Sequence, residues 1–246
     1  MQEIWTVLGL ALLPAVGNLA GGLLAEFTGT PIARLNKALH AASGIVLAVV
    51  SIEIMPGALA VLSGWAVGVA FGLGGIAYIV IEAAVDRVQQ SQGQASNASR
   101  AIWMIYIAVS IDLFSDGLLI GTGSTVAVSM AVVLALGQVL ADAPEGYATV
   151  ANMKEKGVPR TQRMMLSTLF FIPVLSAAIV AYYLLRDQSE ALQMMGLVFA
   201  AGLLTVAAVE DMLNEAHETA GDTRGSIVAF IGGFVLFTFV SAGLGS

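Results

Sequence analysis

The chain of 246 residues contains no cysteine, and only 11% of its residues are charged. Without cysteine it can form neither disulfides nor thiolate metal sites, and it offers no cysteine nucleophile. Basic residues are scarce, with 10 Lys and Arg against 17 Asp and Glu, which excludes a nucleic-acid-binding protein because such proteins carry basic patches. The sequence also lacks the G-x-x-x-x-G-K-[ST] motif that cradles nucleotide phosphates.

Apolar residues dominate what remains. Hydrophobic residues make up 58% of the chain, and the mean hydropathy is +0.88. An ordinary soluble domain has about 25% charged residues, and a soluble fold of this size could not cover so much apolar surface. The composition therefore predicts a polytopic membrane protein.

Eight apolar runs are long enough to cross a bilayer, which requires about 20 residues of helix. They are apolar throughout, whereas strands of a membrane barrel alternate apolar and polar residues. The predicted spans are residues 4–26, 34–56, 62–85, 101–123, 125–152, 161–185, 190–214 and 225–245. We expect one all-α transmembrane domain over residues 1–246, in which residues 87–100 form a flexible, polar cytoplasmic loop.

The basic residues predict the orientation of these spans. Nine of the ten fall in loops or at helix ends on one side, and only Arg186 falls on the other. The nine are Arg34, Lys37, Arg87, Arg100, Lys154, Lys156, Arg160, Arg163 and Arg224. Because cytoplasmic loops carry the excess of Lys and Arg, the basic side is expected to be cytoplasmic, with both termini outside.

Four acidic residues lie within predicted spans 4 and 5, although no Lys or Arg occurs between Arg100 and Lys154. They are Asp112, Asp116, Asp142 and Glu145. A charged carboxylate at the centre of a bilayer costs roughly 2.5–3.5 kcal/mol on insertion scales. Two interpretations remain open: the carboxylates are protonated, or they bind a cation from solution.

The spacing of these acids favours a shared site. Asp112 and Asp116 are four residues apart, on one face of a helix. A polar seam follows span 5, and its members are Gln138, Asp142, Glu145, Thr149 and Asn152. Because a very short turn joins the two spans, they are expected to pack antiparallel with their acidic faces together. Such an oxygen-rich cage suits a divalent cation, with Gln138 either as a further ligand or as a contact between helices.

Other polar residues near the span ends carry a simpler interpretation. Glu53, Glu210, Asp211, His40 and His217 are expected to be hydrated residues at the membrane interface. The group Glu215, His217, Glu218 and Asp222 is either a release site for a cation or a solvated acidic loop. Pro144, inside span 5, is expected to free the carbonyl of Leu140 beside the acids.

Spans 4 and 5 resemble the ZIP (Zrt/Irt-like) metal transporters. That family has His-Asn-x-Pro-Glu-Gly in its fourth span and a related His-x-x-Pro-Glu-Gly in its fifth. Here residues 112–117 read Asp-Leu-Phe-Ser-Asp-Gly, and residues 141–146 read Ala-Asp-Ala-Pro-Glu-Gly. The resemblance is specific in span 5 through Asp-x-Pro-Glu-Gly, and it extends over the whole chain in topology.

The resemblance implies a metal site with ligands Asp112, Asp116, Asp142 and Glu145. Leu113 and Ala141 stand where the family has ligating residues, so one metal is expected rather than two. Asp112 stands where the family has the His ligand of its fourth span, so the site holds oxygen donors and no imidazole, which favours Mn²⁺ or Fe²⁺ in addition to Zn²⁺ and Cd²⁺.

The resemblance also implies the activity. We expect a carrier, not an enzyme, that moves the divalent metal as its substrate across a plasma membrane (a bacterial inner membrane) into the cytoplasm. No organic cofactor and no nucleic acid are expected. Spans 1, 4, 5 and 6 would move against spans 2, 3, 7 and 8 in alternating access, in a homodimer, with transport down a gradient or coupled to protons.

Three alternatives remain. The same acids could serve a proton-coupled carrier of an organic cation, which would need an aromatic lining from residues such as Phe114 and Tyr147. They could belong to a non-transporting member of the fold. They could also form the aspartate dyad of an intramembrane hydrolase, although no Gly-x-Gly-Asp signature surrounds them.

Overall fold

The structure, a computed structural model, describes residues 2–28, 32–91, 97–213 and 224–244. These residues form helices joined by short turns. The α-helices are α1 Gln2–Phe27, α2 Ile32–Ala48, α3 Met55–Val61, α4 Gly64–Ser91, α5 Asn97–Val126, α6 Val128–Glu155, α7 Arg160–Leu169, α8 Phe171–Leu185, α9 Glu190–Ala207 and α10 Arg224–Leu244. A π-helical segment, Val49–Ile54, joins α2 to α3, and a second, Ala208–Leu213, follows α9.

Eight helices of the described residues are long and apolar enough to cross a membrane, which confirms the predicted all-α class and the predicted number of spans. We number them as spans 1–8: Glu3–Phe27, Leu35–Val61, Gly64–Val85, Ile105–Val126, Val128–Glu155, Arg160–Leu185, Glu190–Glu210 and Arg224–Leu244. The number, length and hydropathy of these helices are those of a multi-pass membrane protein.

Several span boundaries differ from the prediction by three to five residues, and the largest difference is at the end of span 2. Span 2 ends at Val61 rather than at residue 56, because Pro56 lies in the first turn of α3, where a missing N–H breaks no helical hydrogen bond. Helix α4 continues to Ser91 and α5 begins at Asn97, so both extend into the predicted loop 87–100. The Gln, Arg and Ala residues at these ends are adequate helix formers, and residues 92–96 lie outside the described part.

Glycines bring the spans together in four close pairs: 1 with 5, 2 with 8, 3 with 7, and 4 with 6. In each pair a glycine of one helix lies against a backbone carbonyl of the other. A Cβ atom added at Gly21 would lie 1.8 Å from the carbonyl oxygen of Ala143, and one added at Gly233 would lie 2.1 Å from that of Ala41. Small residues permit this approach between membrane helices.

These pairs assemble into two groups of spans. Among spans 1, 4, 5 and 6 every span contacts the other three. In the second group span 2 contacts spans 3, 7 and 8, and span 3 also contacts span 7. The groups meet chiefly where span 2 faces span 5 and span 4 faces span 7. At this boundary Gly137 of span 5 faces the side chains of Val49 and Phe237 instead of a carbonyl. Close backbone contact is therefore a feature of each group more than of the boundary between them.

Polar side chains tie span 1 to span 6 at both ends. We call the end where span 1 finishes and span 6 begins the basic end. There Arg163 donates to both carboxylate oxygens of Glu26, over 2.5 and 2.8 Å, with both side chains less than a tenth exposed. At the opposite end Tyr182 Oη donates to Glu3 Oε2 over 3.0 Å.

Candidate metal site

Three buried aspartates from spans 4 and 5 meet near the middle of the helical bundle. Asp112, Asp116 and Asp142 each offer a carboxylate oxygen, and these oxygens lie within 4.8 Å of one another. The residues are 2%, 0% and 1% exposed, respectively. We call them the aspartate cluster; they are three of the four acids that the sequence places in one site.

The short connection between spans 4 and 5 explains this meeting. Span 4 ends at Val126 and span 5 begins at Val128, so the helices run antiparallel from a single-residue turn. Asp116 and Gln138 are the same number of residues from the turn, one before it and one after it. Asp112 and Asp142 are likewise equidistant from the turn. Residues at equal distances from a tight turn lie at equal depth, because both helices rise 1.5 Å per residue.

Only some of the side-chain polar atoms at this site form hydrogen bonds within the described residues. Gln138 Nε2 donates to Asp116 Oδ1. Asp116 Oδ2, Gln138 Oε1 and both carboxylate oxygens of Asp142 are buried and have no hydrogen-bond partner within the described residues. A buried polar atom left without a partner costs about 1–3 kcal/mol, so the arrangement is suited to bind a cation or protons.

The basic side chains that the structure describes are engaged or exposed away from the aspartate cluster. Lys154 donates to the carbonyl oxygen of Ala25 over 3.1 Å, and Arg163 binds Glu26. The exposed ones are Lys37, Arg87, Lys156, Arg160, Arg186 and Arg224. The side chains of Arg34 and Arg100 lie outside the described part. Among these eight basic residues, none supplies a counter-charge to the cluster.

The dimensions of the aspartate cluster suit a cation of ordinary size. Three oxygens no more than 4.8 Å apart have a common centre at most about 2.8 Å from each, the edge divided by the square root of three. Carboxylate oxygens bind Zn²⁺ at about 2.0–2.2 Å and Ca²⁺ at about 2.3–2.6 Å. Small side-chain rotations would thus bring all three oxygens to bonding distance of a divalent ion.

Glu145 lies one helical turn from Asp142, toward the basic end of span 5. It is outside the 4.8 Å group found among the described residues. Its Oε2 atom accepts a hydrogen bond of 3.2 Å from Asn18 Nδ2 of span 1, and both side chains are buried. Further along the seam Thr149 is buried and Asn152 is half-buried.

The residues expected at the membrane interface differ in how far they are exposed. Glu210 is exposed, whereas Glu53 is half-buried and accepts a hydrogen bond of 2.8 Å from Ser241. His40 differs from the expectation, since it is only 5% exposed and its Nδ1 lies 2.8 Å from the carbonyl oxygen of Asn36. The close approach of spans 2 and 8 accounts for this burial. The side chain of Asp211 and the group Glu215, His217, Glu218 and Asp222 lie outside the described residues.

The sequence reasoning did not single out two buried amides. Asn18 of span 1 and Asn36 of span 2 are 1% and 2% exposed; Asn18 binds Glu145, and Asn36 Oδ1 accepts from Ser226. Each is an amide within a mainly apolar run, and polar residues at such positions join membrane helices. The sequence therefore indicates that each amide joins two helices, but it does not identify the residue that each amide contacts.

The aromatic residues named for an organic-cation site do not gather at the aspartate cluster. Tyr147 lines a separate, mainly apolar groove of about 510 Å³ between spans 1, 2 and 5. The other lining residues are Ala20, Gly21, Leu24, Thr28, Ala38, Ala143 and Pro144. Phe114 is half-buried and lies two residues from each of Asp112 and Asp116, hence about 200° around the helix.

No protein-family model matches the chain, and no curated protein matches it.

Proposed function

We propose that the protein is a ZIP-like transporter that moves a divalent metal cation across a membrane, and that the aspartate cluster together with Glu145, one helical turn away, forms its binding site. The observation that carries this proposal is three buried carboxylates with their oxygens within 4.8 Å of one another, inside a bundle of eight apolar helices. Acidic residues inside membrane spans usually mark an ion pathway. Asp116 Oδ2 and both carboxylate oxygens of Asp142 have no hydrogen-bond partner within the described residues, and such oxygens are the ligands that a divalent ion requires.

The donor atoms define the class of substrate. Asp112, Asp116, Asp142 and Glu145 supply only oxygen, which suits divalent ions such as Mn²⁺ and Fe²⁺ and also accepts Zn²⁺ and Cd²⁺. From the cluster the ion would pass Glu145 and then Thr149 and Asn152, toward the basic end of span 5.

The packing of the spans supports alternating access. Backbone contacts at glycine join spans within each group, for example at Gly21 and Gly233, while side chains such as Val49 fill the boundary beside Gly137. Each group can therefore move as a unit while the boundary repacks. Because spans 4 and 5 belong to one group and face spans 7 and 2 of the other, such a movement would expose the cluster to each side in turn.

The remaining features of the proposal follow the resemblance and the basic residues. The basic end would face the cytoplasm, both termini would be outside, and the protein would work as a homodimer in a bacterial inner membrane. Metal ligands bind as carboxylates, so an incoming metal displaces their protons; this provides a route to proton coupling. Organic-cation transport has less support, because Tyr147 lines a different groove.

Uptake by reconstituted protein tests the proposal. Proteoliposomes containing the wild type are expected to accumulate at least one of Zn²⁺, Mn²⁺, Fe²⁺ and Cd²⁺, and Asp142→Ala and Glu145→Ala are expected to reduce that uptake at least tenfold. Asp187→Ala is the matched control, since Asp187 is an exposed acid paired with Arg186. Uptake by Asp142→Ala equal to that of the wild type would remove the proposed site. Absence of uptake of all four metals by the wild type would remove the function.

A further inference from the structure

The acidic residues of the site lie on spans 4 and 5, but the polar side chain of Asn18 on span 1 contacts one of them. Asn18 is 1% exposed, and its Nδ2 donates to Glu145 Oε2 over 3.2 Å. On the basis of the proposed function, we infer that Asn18 is a positioning residue that sets the affinity of the site for its metal through Glu145.

The backbone fixes the position of Asn18 relative to Glu145. A Cβ atom added at Gly146, the residue after Glu145, would lie 1.9 Å from the carbonyl oxygen of Asn18. Gly17 also lies close to span 5, because a Cβ atom there would lie 2.8 Å from the carbonyl oxygen of Val139. The two helices therefore touch at the level of Asn18, where the short amide side chain reaches the carboxylate.

Spans 1 and 5 belong to the same group of spans, so this contact persists when the two groups move against each other. Asn18 therefore accompanies Glu145 through the whole transport cycle. Its hydrogen bond fixes one carboxylate oxygen of Glu145 and thereby the orientation of the other. This is the role of the outer partners that orient metal-binding carboxylates in proteins.

An amide suits this role better than a basic residue. Lys or Arg at position 18 would place a positive charge beside Glu145, and that charge would compete with the cation that the site must bind. Asn18 donates a hydrogen bond without adding charge. The residue can therefore orient Glu145 without neutralising it.

Two substitutions separate this role from simple packing. Asn18→Ala removes the amide, and Asn18→Ser removes it while retaining a polar residue. The serine hydroxyl lies one bond closer to the backbone than the amide nitrogen and can bond a carbonyl of its own helix, as that of Ser43 does with Leu39. Ser at position 18 is therefore expected not to span the contact to Glu145 that Asn18 makes over 3.2 Å. Gln193→Ala is the matched control, because Gln193 is a buried amide that donates over 3.0 Å to the carbonyl oxygen of Leu185 at the opposite end of the bundle.

The experiment measures initial uptake against metal concentration in proteoliposomes, together with the melting temperature of each metal-free variant in detergent. Loss of an outer partner typically weakens metal binding by about 10–100-fold. Both Asn18 variants are expected to show a KM raised by that factor, with the maximal rate per folded protein changed by less than about twofold. Gln193→Ala is expected to keep the wild-type KM.

A purely structural role would give a different result. It would lower the melting temperature and the amount of folded protein while leaving KM unchanged, and that outcome overturns the inference. If Asn18→Ala fails to fold, Asn18→Ser decides by the same criterion. Variants with unchanged KM beside an active wild type overturn this inference alone, whereas an inactive wild type removes the proposed function and this inference with it.

Discussion

Gln138 Nε2 donates a hydrogen bond to Asp116 Oδ1, from the same depth on the neighbouring antiparallel helix. The bond uses the donor of the amide and leaves Gln138 Oε1 and Asp116 Oδ2 buried without a partner among the described residues. Gln138 therefore orients a carboxylate in this structure, and the amide oxygen that was considered as a ligand is not bonded within the described part. Asp116 Oδ2 is the oxygen that remains for a cation.

Substitution of Gln138 tests this relationship. Gln138→Leu removes the donor and puts an apolar side chain in its place. Metal affinity is expected to fall by about 10–100-fold, because Asp116 loses the partner that orients it. Thermal unfolding in detergent across a metal titration measures the change, and Gln193→Leu is the control. A titration identical to that of the wild type would show that Gln138 is only a contact between helices.

Glycine substitutions test the close packing of spans 1 and 5. Gly21→Ala would place a Cβ atom 1.8 Å from the carbonyl oxygen of Ala143, whereas a Cβ atom at Gly9 on the same helix has nothing within 4 Å. We expect Gly21→Ala to lower the melting temperature and the yield of folded protein sharply. Gly9→Ala should leave both unchanged or raise them slightly, since Ala in a helix is favoured over Gly by roughly 0.5–1 kcal/mol. Equal behaviour of the two variants would contradict the packing.

The ion pair at the basic end provides a stability prediction. Arg163→Gln leaves Glu26 buried, with Arg160 as a more distant partner at 3.7 Å. The expected loss is about 3 kcal/mol of unfolding free energy, the lower end of the range for breaking a buried pair, because Arg160 remains near the Glu26 carboxylate. Arg186→Gln, which breaks an exposed pair with Asp187, should have little effect. The Glu26→Gln/Arg163→Gln double variant should be more stable than Arg163→Gln, because it no longer buries an unpaired carboxylate. A double variant as unstable as Arg163→Gln would show that the buried charge of Glu26 is not the cause of the loss.

Proton release accompanies metal binding in this proposal. Carboxylates bind a divalent metal only when they have lost their protons, so metal and protons compete for the same oxygens. Apparent metal affinity is therefore expected to fall as the pH is lowered from about 7 to 5, and added metal should acidify a weakly buffered solution of the protein. A pH-indicator dye measures the release, with Asp142→Asn as a variant that releases fewer protons. Metal binding without any proton release would show that the site is already ionised.

The eight spans could be predicted because hydrocarbon leaves the backbone few options: a helix must satisfy its own hydrogen bonds over about 20 residues. The meeting of Asp116 and Asp142 could also be expected, since the single-residue turn at Ala127 constrains spans 4 and 5 to neighbouring, antiparallel positions. In both cases local features of the chain are sufficient.

Other features depend on contacts between distant parts of the chain. The partner of Asn18 lies 127 residues away in the sequence, and the close packing of spans 1 and 5 at their glycines brings the two residues together. The burial of His40 likewise depends on span 8, which no local pattern identifies as its neighbour. The sequence predicts the end of span 2 at residue 56, whereas the span continues to Val61. A proline suggests a helix terminus, and the sequence alone does not show that Pro56 lies in the first turn of α3.

The π-helical segment Val49–Ile54 has a consequence for how span 2 tolerates a deletion. The segment accommodates one residue more than an α-helix of the same length. Removing one residue from it would restore regular α-helix and keep the helix continuous. The same deletion between Asp112 and Asp116 would separate the two carboxylates, since span 4 is α-helical throughout its length. Span 2 thus contains a residue that a regular α-helix would not need, whereas spans 4 and 5, which carry the site, are α-helical throughout.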